Sequence, residues 1–151
     1  NTSLPIGGEN THSCLTGHRG LPGAKLFTRL DEIVKGDLFF INVLGETHAY
    51  KVNNIRVVTP EEADMEVTKI ESGKDMVTLV TCTPYGLNTH RLLVTGERVP
   101  YEKQEYESID STLPSLRELV FTALPFVLLA IVVVMKLIDW RKSKQNEKKS
   151  D

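Results

Sequence analysis

Cysteine is scarce in this chain: two residues in 151, Cys14 and Cys82. Small secreted domains that rely on disulfides carry them densely, so a stapled scaffold is excluded, and Cys14 with Cys82 is the only bridge the composition allows. An excess of one charge is lacking too. Eighteen Lys and Arg against twenty Asp and Glu leave a net charge of −2, which carries no electrostatic sign of a nucleic-acid partner. No internal repeat and no low-complexity stretch interrupts the chain before its tail. A compact set of metal ligands is also missing. His12, Cys14 and His18 alternate on one strand face, but six residues of strand span about 20 Å, too far to share an ion.

Long hydrophobic runs are absent except for one. Residues 119–135 read LVFTALPFVLLAIVVVM without a charge, and Lys136-Leu137-Ile138 extends them to the roughly twenty residues that cross a bilayer core. Lys136 can snorkel to the interface, Trp140 stands where an aromatic anchor belongs, and Pro125 is tolerable in a membrane helix. A buried core helix is the rival reading, but the remaining chain is too small to sheathe it. Six basic residues from Lys136 onward face three acidic ones, a net +3, whereas residues 1–118 carry −5. The basic flank belongs in the cytoplasm, so residues 1–118 are expected outside, where two unpaired thiols suit a bacterial surface.

Before the membrane run the pattern is mainly β. Strands are expected at Thr11–Thr16, Leu38–Leu44, Thr47–Val58, Met76–Cys82 and His90–Val99, the last four as two hairpins. A short helix is expected over Leu26–Val34 from its apolar side, and a single helical turn after Thr59 as cap. Five strands, mostly antiparallel, point to a barrel or sandwich over residues 1–101. Residues 102–118 read as an acidic stalk, 119–138 as the membrane helix and 139–151 as a basic cytoplasmic tail. Five strands leave open sheet edges, which folded proteins avoid. The chain also begins at Asn1 without an export signal, and it reads as the C-terminal part of something longer.

The chemistry centres on Thr78-Leu79-Val80-Thr81-Cys82-Thr83-Pro84-Tyr85-Gly86. A β-favouring run ends in a Pro-Tyr-Gly turn, which sets the thiol of Cys82 at the end of a rigid strand beside a loop. Nucleophilic catalysis by such a thiol needs an imidazole and a donor for the developing oxyanion. His18 sits at the rim of the first strand, between Gly17 and Arg19-Gly20. Arg91, second in the returning strand, can lie opposite or diagonal to Cys82. A papain-like hydrolase is excluded by order, since there the cysteine precedes the histidine.

Together these residues resemble the sortases, cysteine transpeptidases of Gram-positive bacterial surfaces. Thr78-Leu79-Val80-Thr81-Cys82 matches their TLxTC signature, Thr16-Gly17-His18 sits where their catalytic histidine does, and Arg91 matches their essential arginine. The likeness is closest to the pilin-assembling class C. Gly17-His18-Arg19-Gly20-Leu21-Pro22, Cys82-Thr83-Pro84-Tyr85-Gly86 and His90-Arg91-Leu92-Leu93 stand nearly verbatim there, and a C-terminal membrane helix follows. The resemblance implies a sortase-like β-barrel of about eight strands, of which the five seen here look like the last five. It implies Cys82 as nucleophile, His18 as general acid and base, Arg91 as oxyanion or substrate stabiliser, and Leu79, Thr81 and Tyr85 as substrate contacts. The implied substrate is an LPXTG-like sorting signal of a pilin or surface protein, cleaved between Thr and Gly. The implied acceptor is a lysine amine of another pilin subunit. No metal, nucleotide or other cofactor is implied, because a thioester keeps the bond energy, and membrane lipid is the other expected partner. The alternatives are a wall-anchoring sortase of another class and a non-enzymatic surface-binding module with a degenerate sortase fold.

Overall fold

The computed structural model describes residues 2–20, 23–24, 26–108 and 116–147; of residues 108, 116–118 and 139–147 it describes the backbone only. The chain falls into two compact units, Asn1–Glu107 and Ser108–Asp151.

The first unit is built on five strands: β1 (Thr11–Thr16), β2 (Leu38–Val43), β3 (Glu46–Val58), β4 (Asp75–Thr83) and β5 (His90–Val99). They form one sheet in the order β1-β4-β5-β3-β2. Three pairings are antiparallel, and β1 runs parallel to β4 with Thr16 abreast of Val80. The expected strands are all present, with shifted ends. The first hairpin turns at Leu44-Gly45, both at positive φ, as a two-residue hairpin loop requires; Leu44 therefore leaves β2. At its other end, β4 continues one residue past Cys82.

Alternation along the strands gives each face its own core. Val77, Leu79, Leu92 and Val94 join Tyr50, Val52 and Leu30 on one face. Val80 and Leu93 join Val58, Ala63 and Val67 on the other. The second face is covered by helix α1 (Pro60–Glu66), a fuller element than the single turn expected. The Thr59 hydroxyl accepts from the Glu62 N–H while the Glu62 carboxylate accepts from the Thr59 N–H. This reciprocal cap satisfies donors the helix start would otherwise leave open.

The helix expected over Leu26–Val34 is not formed; only a 3₁₀ turn at Leu30–Glu32 is present. The backbone here bonds elsewhere. The Phe27 N–H donates to the His18 carbonyl, the Gly36 N–H to Val52 and the Val34 N–H to the Asp37 carboxylate. Phe27, Leu30 and Ile33 still face the core, so the apolar pattern was correct and the element was not. A helix α2 (Lys103–Ser108) appears in the segment read as a stalk. Its Tyr106 ring meets Phe40 of β2 edge-on, with centroids 5.0 Å apart.

The second unit contains one helix, α3 (Leu116–Glu147), interrupted by no break at Pro125. Within it Leu119–Ile138, twenty residues of mean hydropathy 2.5, is long and apolar enough to cross a membrane.

Candidate active site

The sheet order brings three strands, β1, β4 and β5, side by side with β4 in the middle. Cys82 of β4 is paired directly with Arg91 of β5. Residues opposite one another on neighbouring antiparallel strands share a face, so both lie on the face of Val80 and Leu93. On the other side, the β1 ladder runs one residue beyond the strand. The Gly17 N–H donates to the Val80 carbonyl at 3.1 Å. Thr16 is abreast of Val80, and His18 follows two residues later in the segment that leaves β1. Cys82 and Arg91 are thus paired across β4 and β5, and the β1 ladder carries the segment of His18 toward the same end of β4. His18 is exposed, and Cys82 and Arg91 are half-buried.

Arg91 is aimed by its own loop. Its Nη1 donates to the carbonyls of Asn88 and His90 at 3.2 and 3.1 Å. The remaining guanidinium donors have no partner among the described residues. His18 is aimed by what lies behind it. The Thr81 hydroxyl donates to the Gly17 carbonyl at 2.8 Å, and a Cβ at Gly17 would come within 2.7 Å of the Phe27 ring. Only glycine lets that ring close over the segment leading to His18.

Two of the three expected substrate contacts are buried. Leu79 is 7% exposed inside the core, and Thr81 is 2% exposed with its hydroxyl spent on Gly17. The odd positions of β4 face inward, away from the face that carries Cys82. Thr81 is therefore a positioning residue. Tyr85 is 60% exposed in the loop after Cys82, accessible to a ligand on one side of its ring. Thr81→Val should orphan the Gly17 carbonyl and destabilise the chain by about 1–2 kcal/mol. Thermal unfolding would check it, and an unchanged midpoint would contradict it.

Sequence reasoning missed one partner set. Arg19, next to His18, is buried. Its Nη2 pairs with the Asp31 carboxylate at 2.5 Å, and its Nη1 reaches the Thr83 hydroxyl at the long limit of 3.5 Å. The Tyr85 ring centroid lies 5.7 Å from its guanidinium carbon. A buried arginine leaves no signal in a single sequence beyond its place in the motif.

The remaining candidates lie apart from this site. Cys14, on β1 opposite Thr78, packs against the second core. Burial, and then the Asp64 carboxylate, push its thiol above the ordinary value. Both cysteines are free thiols. At neutral pH Cys14 should be alkylated more slowly than Cys82, because a raised pKa leaves less thiolate. Cys14→Ser should keep turnover within about twofold, since surface-distant thiols contribute packing rather than chemistry. Peptide mapping after oxidation should find no linked pair of 14 and 82; such a pair would contradict the reading. His12 is buried, its Nδ1–H donating to the Lys69 carbonyl and its Nε2 accepting from the Thr78 hydroxyl. Its ring is fully used, and no cluster able to hold a metal ion occurs among the described residues.

A mainly β, half-barrel sheet with a thiol near the end of β4, an arginine paired with it on one neighbouring strand and a histidine just past the end of the other narrows the class to sortase-like folds. The sortase domain model matches residues 1–99. The chain belongs to the sortase family, whose members are cysteine transpeptidases. Among solved structures it is 58% identical to sortase C-1 from Actinomyces oris, with a TM-score of 0.63 over 66% of this chain and 55% of that one. It is 57% identical to Clostridium perfringens sortase C with the C-terminal cell wall sorting motif, with a TM-score of 0.61 over 66% and 53%. Among curated relatives it is 34% identical to Sortase SrtE2 of Streptomyces coelicolor over 67% of this chain and 42% of that protein. The chain thus spans about half the length of the solved sortases and two fifths of that curated relative.

Proposed function

We propose that this chain is the catalytic part of a membrane-anchored transpeptidase acting on an LPXTG-like sorting signal. The reading is supported by the pairing of Cys82 with Arg91 across β4 and β5, with the segment of His18 continuing from β1 alongside β4. Cys82 Sγ attacks the Thr carbonyl of the Thr–Gly bond. Arg91 donates to the developing oxyanion. As the tetrahedral species collapses, the C–N bond breaks and His18 gives its proton to the leaving glycine amine. The thioester on Cys82 is then attacked by a lysine amine, whose proton passes to His18 as the thiolate leaves. One amide is lost and one isopeptide formed, so no external energy source enters.

The pilin-assembling assignment rests on the 50–60% identity to solved sortase C proteins. Identity to the proteins called Sortase A is lower, 32–39%. The stretch Leu119–Ile138 anchors the catalytic domain, 1–101, through the segment 102–118. The basic tail from 139 lies in the cytoplasm and the active site outside a Gram-positive cell. The test is competition between two amines, a pilin-like lysine peptide and an oligoglycine, for one LPXTG-like donor peptide and the full chain. Mass spectrometry should find the lysine isopeptide in excess. A product formed only with oligoglycine would move the chain to wall anchoring. No product with either would leave a binding module.

A further inference from the structure

We propose that Arg19 is a positioning residue that holds His18 against Cys82; the proposal rests on the acyl-transfer reading of that pair. Three segments meet at its guanidinium. Asp31 belongs to the 3₁₀ turn, whose Leu30 is rooted in the core. Thr83 is the residue after Cys82 on β4, and Tyr85 begins the loop that follows. Tyr85 in turn lies on Gly20, where a Cβ would come within 2.8 Å of its ring and φ is +83°. One planar cation therefore ties the segment of His18 to the strand end of Cys82.

The Arg19 side chain is 5% exposed and pinned inward, while its neighbour His18 is exposed. Backbone bonds at Gly17 and His18 set where the segment lies, and Arg19 sets how it is rotated. Stability is a poor reason for this cation. Its Nε is buried without a hydrogen-bond partner among the described residues, and a buried ion pair seldom stabilises more than a well-packed apolar pair. Lysine cannot replace it, because an ammonium lacks the planar fork that pairs with Asp31, reaches Thr83 and stacks on Tyr85 together.

The experiment reads geometry and turnover separately, in the full chain. In a His18→Cys, Cys14→Ser chain, a disulfide between positions 18 and 82 reads directly whether the segment after β1 is held against the end of β4. Mild oxidation should cross-link them readily. Adding Arg19→Lys should slow the cross-link by about tenfold while the melting temperature stays within a few degrees. In the chain with His18 and Cys82 intact, Arg19→Lys should lower kcat by about tenfold with KM within twofold, as loss of alignment does. Should Arg19→Lys fail to fold, Arg19→Met with Asp31→Leu removes both charges and is read by the same two rates. Equal cross-linking rates with and without Arg19 would overturn the proposal, as would failure to cross-link when Arg19 is present. A slowed cross-link in a chain that shows no turnover would sustain the clamp and overturn the acyl-transfer reading instead.

Discussion

Cys82→Ala should abolish the proposed transpeptidation, a loss of about 10⁴-fold or more, as removal of a covalent nucleophile does. The fold should survive it. Cys82 is half-buried at the penultimate position of β4, and alanine there forfeits one small group without opening a closed cavity. Unfolding and turnover should therefore separate: a melting temperature close to wild type, and no ligated product. His18→Ala in the same assay should be severely impaired but should still allow Cys82 to be alkylated. Retained ligation by Cys82→Ala would mean that the thiol is structural, and the pairing of Cys82 with Arg91 would carry no catalytic meaning.

Arg91→Lys should lower kcat by about 10²–10³-fold, the range seen when one oxyanion donor is lost. The cause is shape rather than charge. Arg91 spends its Nη1 on the carbonyls of Asn88 and His90, which fixes the plane of the guanidinium and leaves its other donors without a partner among the described residues. A lysine has the charge but no second nitrogen held by that anchoring. Its ammonium would either stay on the loop carbonyls or leave them. The effect should fall on kcat more than on KM, because an oxyanion exists in the tetrahedral species of both acyl-transfer steps and not in the bound substrate. A wild-type rate for Arg91→Lys would show that charge alone suffices at this position.

Local signals carried far in this chain. The TLxTC strand, both hairpins, the capped start of α1 at Thr59 and the apolar stretch 119–138 each announce themselves within a few residues. What stayed hidden is what depends on contacts between distant segments. The parallel pairing of β1 with β4 joins residues more than sixty positions apart, and no periodicity encodes it; yet it is what carries the segment of His18 alongside the strand of Cys82. Leu26–Val34 has a helical apolar pattern, but its backbone is claimed by His18, Val52 and the Asp37 side chain, so packing prevailed over propensity. Leu79 and Thr81 sit in the signature with Cys82, and strand alternation sends them to the opposite face. Nothing in the sequence marks Arg19 as buried; only the fold shows it against Asp31. Tyr106 belongs to a polar, acidic stretch, and its ring is drawn onto Phe40.

The most direct measurement is an intact-mass analysis of the full chain, acid-quenched during reaction with an LPXTG-like peptide and no added amine. The expected result is a mass gain equal to the peptide up to its threonine, mapped to Cys82 and released by hydroxylamine, together with the freed glycine fragment. The adduct should be missing from Cys82→Ala and unaffected by Cys14→Ser. Cleaved peptide without an adduct on Cys82, or an adduct on Cys14, would contradict a thioester mechanism at this strand end.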